Sequence, residues 1–136
     1  MNVGVAALRG TEPDARTLGV AAGDAVVVVA VLTAGMYRHQ VDPLAAPGHA
    51  ALVIAPFLVG WTLAAPPAGA YARDSLDSPR LTVATGVAAW VPAALGGAAI
   101  RATPPLPGNA PPTFVAVVLG FGGLGITAWR AVVAWS

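Results

Sequence analysis

Cysteine and lysine are missing from this chain, glutamate occurs once, and only 10% of the residues are charged. Without cysteine there are no disulfides and no thiolate chemistry. All seven basic residues are arginines and the formal net charge is +1, so there is no basic stripe of the kind that tracks phosphates. Nucleic acid is not an expected partner. Long polar stretches are equally scarce: the longest are the N-terminal tail and the connector Arg73 to Arg80. Ser75, Asp77 and the histidines do not form a nucleophile–base–acid set, because their loops fall on opposite sides of the apolar spans. A membrane enzyme needs His, Asp or Glu clustered at one level, which this chain does not supply, so a non-enzymatic protein without cofactor is expected. Gly120, Gly122, Gly123 and Gly125 lie inside an apolar run with no preceding strand, which excludes a dinucleotide-binding loop.

What the chain has in abundance is hydrocarbon. Of its 136 residues, 57% are hydrophobic, and an ordinary soluble domain is about 25% charged. A crossing helix needs roughly 20 mostly apolar residues. Four segments qualify, over about residues 18–37, 49–70, 81–100 and 113–135. The first is not read as a cleaved signal peptide: its leader is long and mixed in charge, Asp24 interrupts the core, and Tyr37 and Arg38 stand where small residues belong. The expected architecture is therefore all-α, a single membrane domain of four antiparallel transmembrane helices.

Counting arginines over short loops sets the orientation. Arg9, Arg16, Arg73, Arg80 and Arg130 fall on one side, and Arg38 and Arg101 on the other. This places both termini in the cytoplasm of a multi-pass plasma-membrane protein. Tyr37, Tyr71, Trp129 and Trp135 near span ends read as interfacial aromatics.

Asp24 lies about 12 Å along the first helix from Arg16, at 1.5 Å per residue, too deep for a short carboxylate to reach bulk water. It needs a partner or a proton. Arg130 lies near the matching end of the antiparallel fourth span, and the two are expected to form a buried ion pair. At the opposite rim, Arg38, His39, Asp42, His49 and Arg101 gather at the outer ends of the first three spans. Headgroup anchoring is the expected role of the arginines there, and the loose histidine spacing does not match a metal site.

Trp61 and Trp90 fall near the middle of their spans, beside Pro56 and Pro92. Those prolines free the carbonyls of Leu52 and Ala88, and an indole N–H from a neighbouring helix is suited to satisfy one of them. These four residues are expected to pack near the midplane. Small residues at four-residue spacing, Gly19 and Gly23, Thr85, Ala89, Ala93 and Gly97, and Gly123, Thr127 and Ala131, mark close helix contacts within the chain or between copies. The bilayer is thus the first expected partner and a second copy of the chain another.

The ordered set Gly23-Asp24, Tyr37-Arg38-His39, Pro56-Phe57 with Gly60-Trp61, Trp90 with Pro92 and Arg101, then Phe114 and Trp129-Arg130, resembles the domain of unknown function 3054 family. The resemblance runs from Leu18 to Arg130. It implies a small prokaryotic integral membrane protein of unassigned activity. The residue pattern itself keeps two functions open: a small solute or ion transporter built around Asp24 and Arg130, or a structural or accessory subunit of a membrane complex.

Overall fold

The computed structural model describes residues 15–40, 42–103 and 110–136, and those residues are all-α with no strand. Helix α1 is Ala15–Arg38, α2 Pro47–Ala64, α3 the single turn Arg73–Leu76, α4 Pro79–Arg101 and α5 Pro112–Ala134. Arg9 and most of the proline-rich connector after Thr103 lie outside the described residues. All but α3 are long and apolar enough to cross a membrane, which suggests a multi-pass membrane protein.

Proline sets three of the helix starts. Pro47, Pro79 and Pro112 each stand in the first turn, where a missing N–H costs nothing and the fixed φ already suits a helix. At α4 the Ser78 hydroxyl accepts a hydrogen bond from the Leu81 N–H at 3.3 Å, which caps one of the open donors. Proline also ends α2 earlier than the hydropathy predicts. The apolar run continues to residue 70, yet the helix stops at Ala64 and residues 65–71 form turns. Pro66 and Pro67 lack the N–H groups that would continue the ladder, and their rings clash with the turn before them.

Contacts between specific residues fix the helix directions. Gly23 lies against Trp129 and Gly125 against Val27, so α1 and α5 run antiparallel. Gly86 meets Arg130 and Ile126, and Gly122 meets Trp90, so α4 and α5 do the same. Phe57 meets Gly97, and Gly60 meets Ala93, which makes α2 and α4 antiparallel as well. Helix α4 packs most closely, against α2 and α5, while α1 touches α2 only lightly. A Cβ on Gly60 would fall on the Ala93 carbonyl oxygen; only glycine lets the two backbones come that near.

The buried seams keep a strict four-residue period. On α1 they are Val20, Asp24, Val28, Leu32 and Met36, and on α5 Val118, Gly122, Ile126 and Arg130. The α5 seam is one residue away from the expected Gly123, Thr127 and Ala131 stripe, which is only half-buried. On α4, Ala89, Ala93 and Gly97 are buried as the spacing predicts, whereas Thr85 is half-buried. Leu18, Val26, Leu63, Phe121, Leu124 and Val132 point outward and exposed. Hydrocarbon outside and a charge pair inside is the arrangement expected in lipid.

Candidate functional site

Asp24 and Arg130 have no solvent-accessible surface. Their side chains meet as a bidentate pair: Arg130 Nε donates to Asp24 Oδ1 at 3.1 Å and Nη2 to Oδ2 at 2.6 Å. The second guanidinium edge points towards the end of the bundle. There Nη1 donates to the Thr82 carbonyl at 2.9 Å and to the Ala70 carbonyl at 3.1 Å. Two charges removed from water need this degree of satisfaction, since an unfilled donor or acceptor would add to a desolvation cost of several kcal/mol per ion. The guanidinium therefore does not extend to the headgroups. Arg130 drops out of the loop-arginine count, which leaves Arg16, Arg73 and Arg80 at one end of the described bundle and Arg38 and Arg101 at the other.

A third side chain completes the carboxylate. Tyr71 donates its hydroxyl to Asp24 Oδ2 at 2.7 Å and accepts from Trp61 Nε1 at 2.7 Å. The rings of Trp61 and Tyr71 stand nearly edge to face at 6.5 Å. Both also flank the guanidinium, with Arg130 Cζ 5.9 Å from the Trp61 centroid and 5.5 Å from that of Tyr71. These distances lie within the range of cation–π attraction. Tyr71 is outside the four long helices. Burial, and then the Asp24 carboxylate beside it, hold its phenol protonated well above the usual range. The expectation of an interfacial belt residue thus gives way to a member of the charge network. Its position just after Pro66, Pro67 and Gly69 is the available sequence signal, because a chain that turns back at a helix end returns its next residues to the bundle.

Glycine makes room for the pair. A Cβ on Gly86 would overlap the Arg130 side chain, 2.7 Å from Nε, and would lie 3.1 Å from Ile126 Cγ2. Next to the pair, Trp129 lies against Gly23, and its Nε1 donates to the Val20 carbonyl at 3.4 Å. Gly19, the other half of the glycine pair on α1, would have no neighbour within 4 Å of an added Cβ.

Trp61 and Trp90 are both buried and lie 6.5 Å apart. Neither indole N–H reaches a carbonyl freed by proline. Trp61 binds Tyr71, and Trp90 donates to the Leu119 carbonyl on α5 at 3.2 Å. Pro56 is buried, but Pro92 lies on the exposed side of α4 and so takes no part in the interior.

The other rim is looser. Arg38, His39 and His49 are exposed, and Asp42 Oδ1 accepts from the Leu44 N–H at 2.9 Å within its own turn. Arg101 is half-buried, with its guanidinium 4.4 Å over the Phe114 ring. It is held by an aromatic face at the end of α4. Among the described residues no three His, Cys, Asp or Glu side chains come together to hold a metal.

Two shallow apolar grooves mark the outside of the bundle. Gly120, Phe121 and Leu124 help line the one on α5, and Val26, Ala30 and Thr33 the one on α1. Neither is lined by Asp24, Tyr71 or Arg130.

A family model described as a protein of unknown function, DUF3054, matches residues 21–133. The chain belongs to the DUF3054 family. The match includes Asp24, Trp61, Tyr71 and Arg130, so the whole network lies within the family domain. No curated protein and no solved structure matches the chain.

Proposed function

We propose that this DUF3054 protein is a non-enzymatic integral membrane protein that moves a small ion or solute, with the Asp24–Arg130 pair as its working centre. The observation that carries the reading is the Asp24 carboxylate, shared inside an apolar bundle between an arginine fork and a tyrosine hydroxyl. A charge inside an apolar bundle is costly, up to about 2.5–3.5 kcal/mol at a helix centre on insertion scales. If holding helices together were the only task, apolar side chains of similar volume would do it as well or better, since replacing a buried ion pair by hydrocarbon is often neutral or stabilising. A charge pair differs from hydrocarbon in that it can be exchanged for water, a proton or another ion.

The reading includes the lipid bilayer as partner and the plasma membrane as location. The N-terminal end of α1 and the C-terminal end of α5 face the cytoplasm, in keeping with Arg16, Arg73 and Arg80 at that end. Proteoliposomes with a trapped pH-sensitive dye test it. Under an imposed pH gradient, wild-type vesicles should dissipate the gradient faster than protein-free vesicles. Asp24→Asn protein that remains folded should not. Wild-type vesicles as tight as empty ones would count against a proton-linked path, and equal flux through Asp24→Asn would remove Asp24 from it.

A structural or accessory subunit is the second reading. It is favoured by the solvent-inaccessible, multiply bonded state of the pair and by the apolar grooves on α1 and α5, which suit contact with a second copy or another membrane protein. That reading expects no flux from the wild type and loss of the assembled protein on breaking the pair.

A further inference from the structure

The link between α2 and α4 runs from residue 65 to residue 78, well beyond the roughly 2–8 residues that usually join neighbouring bundle helices. It folds over the end of the bundle nearest the charge pair. Its Ala65 and Ala70 are fully buried, while its Pro66, Pro67, Ala72 and Arg73 face outward.

Its two halves are held differently. The second half belongs to α4: the Thr82 hydroxyl lies within hydrogen-bond reach of the Ser75 carbonyl at 3.1 Å and the Ser78 carbonyl at 2.9 Å. The first half is tied to the pair itself. Its Ala70 carbonyl accepts from Arg130, and its Tyr71 hydroxyl donates to Asp24. Just before the Ala70 and Tyr71 ties stands Gly69 with φ +78°, a left-handed position that favours glycine and lets the chain change direction there. Ser75 lies under this turn. It is 8% exposed, and its Oγ would be 3.5 Å from a Cβ on Gly69.

We propose that residues 65–72 form a hinged cap over the Asp24–Arg130 pair, latched by the Tyr71 hydroxyl on Asp24 and the Ala70 carbonyl on Arg130. The latch and the charge pair are one network, so loosening either loosens the other. When the cap lifts, water reaches Asp24 from the end of the bundle that carries Arg73 and Arg80. What the opening serves rests on the transport reading, but the opening itself does not.

The absence of native cysteine makes a single-cysteine reporter clean. Ser75→Cys is close to isosteric and sits beneath the cap on the half that stays with α4. Ala98→Cys, at a buried position near the far end of α4, reports on loosening of the whole bundle. Maleimide labelling of each is timed in native membranes, with Tyr71 present and with Tyr71→Phe, which removes the latch hydroxyl and keeps the ring. A hydrogen bond to a charged group is lost, so labelling at position 75 should rise roughly tenfold or more, with no change at position 98. An unchanged rate at position 75 overturns the latch, and a rate that rises equally at both positions overturns the hinged cap in favour of general loosening. Labelling requires no flux. A protein that labels as expected but carries nothing would therefore contradict the transport reading and leave the cap standing.

Discussion

The Asp24 carboxylate and the Arg130 guanidinium, 106 residues apart in the chain, meet side-on in the interior with both oxygens bonded. They join the first and last helices of the bundle at a single level. Tyr71 and the carbonyls of Ala70 and Thr82 fill the rest of the shell, so neither charge is left to bare hydrocarbon. The same few atoms connect α1, α4 and α5 with the link that joins α2 to α4, which makes the pair the point where a local change reaches the whole fold.

Tyr71 should give the protein an alkaline weakness. Burial and the neighbouring carboxylate raise its folded value above the unfolded one. The stability it contributes is therefore full below about pH 10, the ordinary tyrosine value, and is lost as pH climbs beyond it. In detergent, wild type should melt above Tyr71→Phe at about pH 8, and the gap should narrow at about pH 10.5. A gap that stays constant would mean that the hydroxyl is not held in this way.

Gly86 and Gly96 share α4 but should respond oppositely to alanine. A Cβ on Gly86 would enter the space of the Arg130 stem, which is pinned by its hydrogen bonds, so Gly86→Ala should destabilise by about 1–3 kcal/mol through overpacking. Gly96 has nothing within 4 Å of the new methyl, and Gly96→Ala should be neutral or stabilise by up to about 1 kcal/mol. Thermal melts of the two variants in the same detergent check this. Equal effects would argue against Arg130 lying along Gly86.

The topology has a direct labelling test. Leu44, in the α1–α2 link, and Asp77, in the α3–α4 link, are both exposed. Single cysteines there should label from opposite faces of sealed cells, with position 77 reached only from the cytoplasm. Ser75 lies two residues away but is buried, and would give a misleadingly weak signal. Labelling of both exposed positions from outside would refute four crossings.

The helices and the pair were legible in the sequence because both follow from the cost of putting polarity into hydrocarbon. Four apolar runs bounded by arginine and proline leave few other folds, and a lone Asp24 in one run calls for a cation at its own level. Tyr71 was not legible. Hydropathy extends α2 to residue 70 and so carries the tyrosine to a membrane surface, whereas Pro66 and Pro67 end the helix six residues sooner and the turn brings it back to Asp24. Periodicity also failed to separate equivalent glycines. Gly19 and Gly23 look alike in sequence, but only Gly23 receives a neighbour, because Trp129 reaches one turn and not the next. Likewise the α5 seam passes through Gly122 and not Gly123, a rotation of one residue that Arg130 itself selects by pointing inward.

A double-mutant cycle on Asp24→Asn and Arg130→Gln, read by reversible unfolding in detergent or lipid, tests most directly whether the two side chains act as one unit. Each single change strands a charge away from water and should destabilise by roughly 3–5 kcal/mol. Removing both should recover at least half of the summed loss, which would appear as a large coupling energy between positions that are otherwise distant in the chain. Additive losses with no coupling would contradict a buried pair at the centre of this protein.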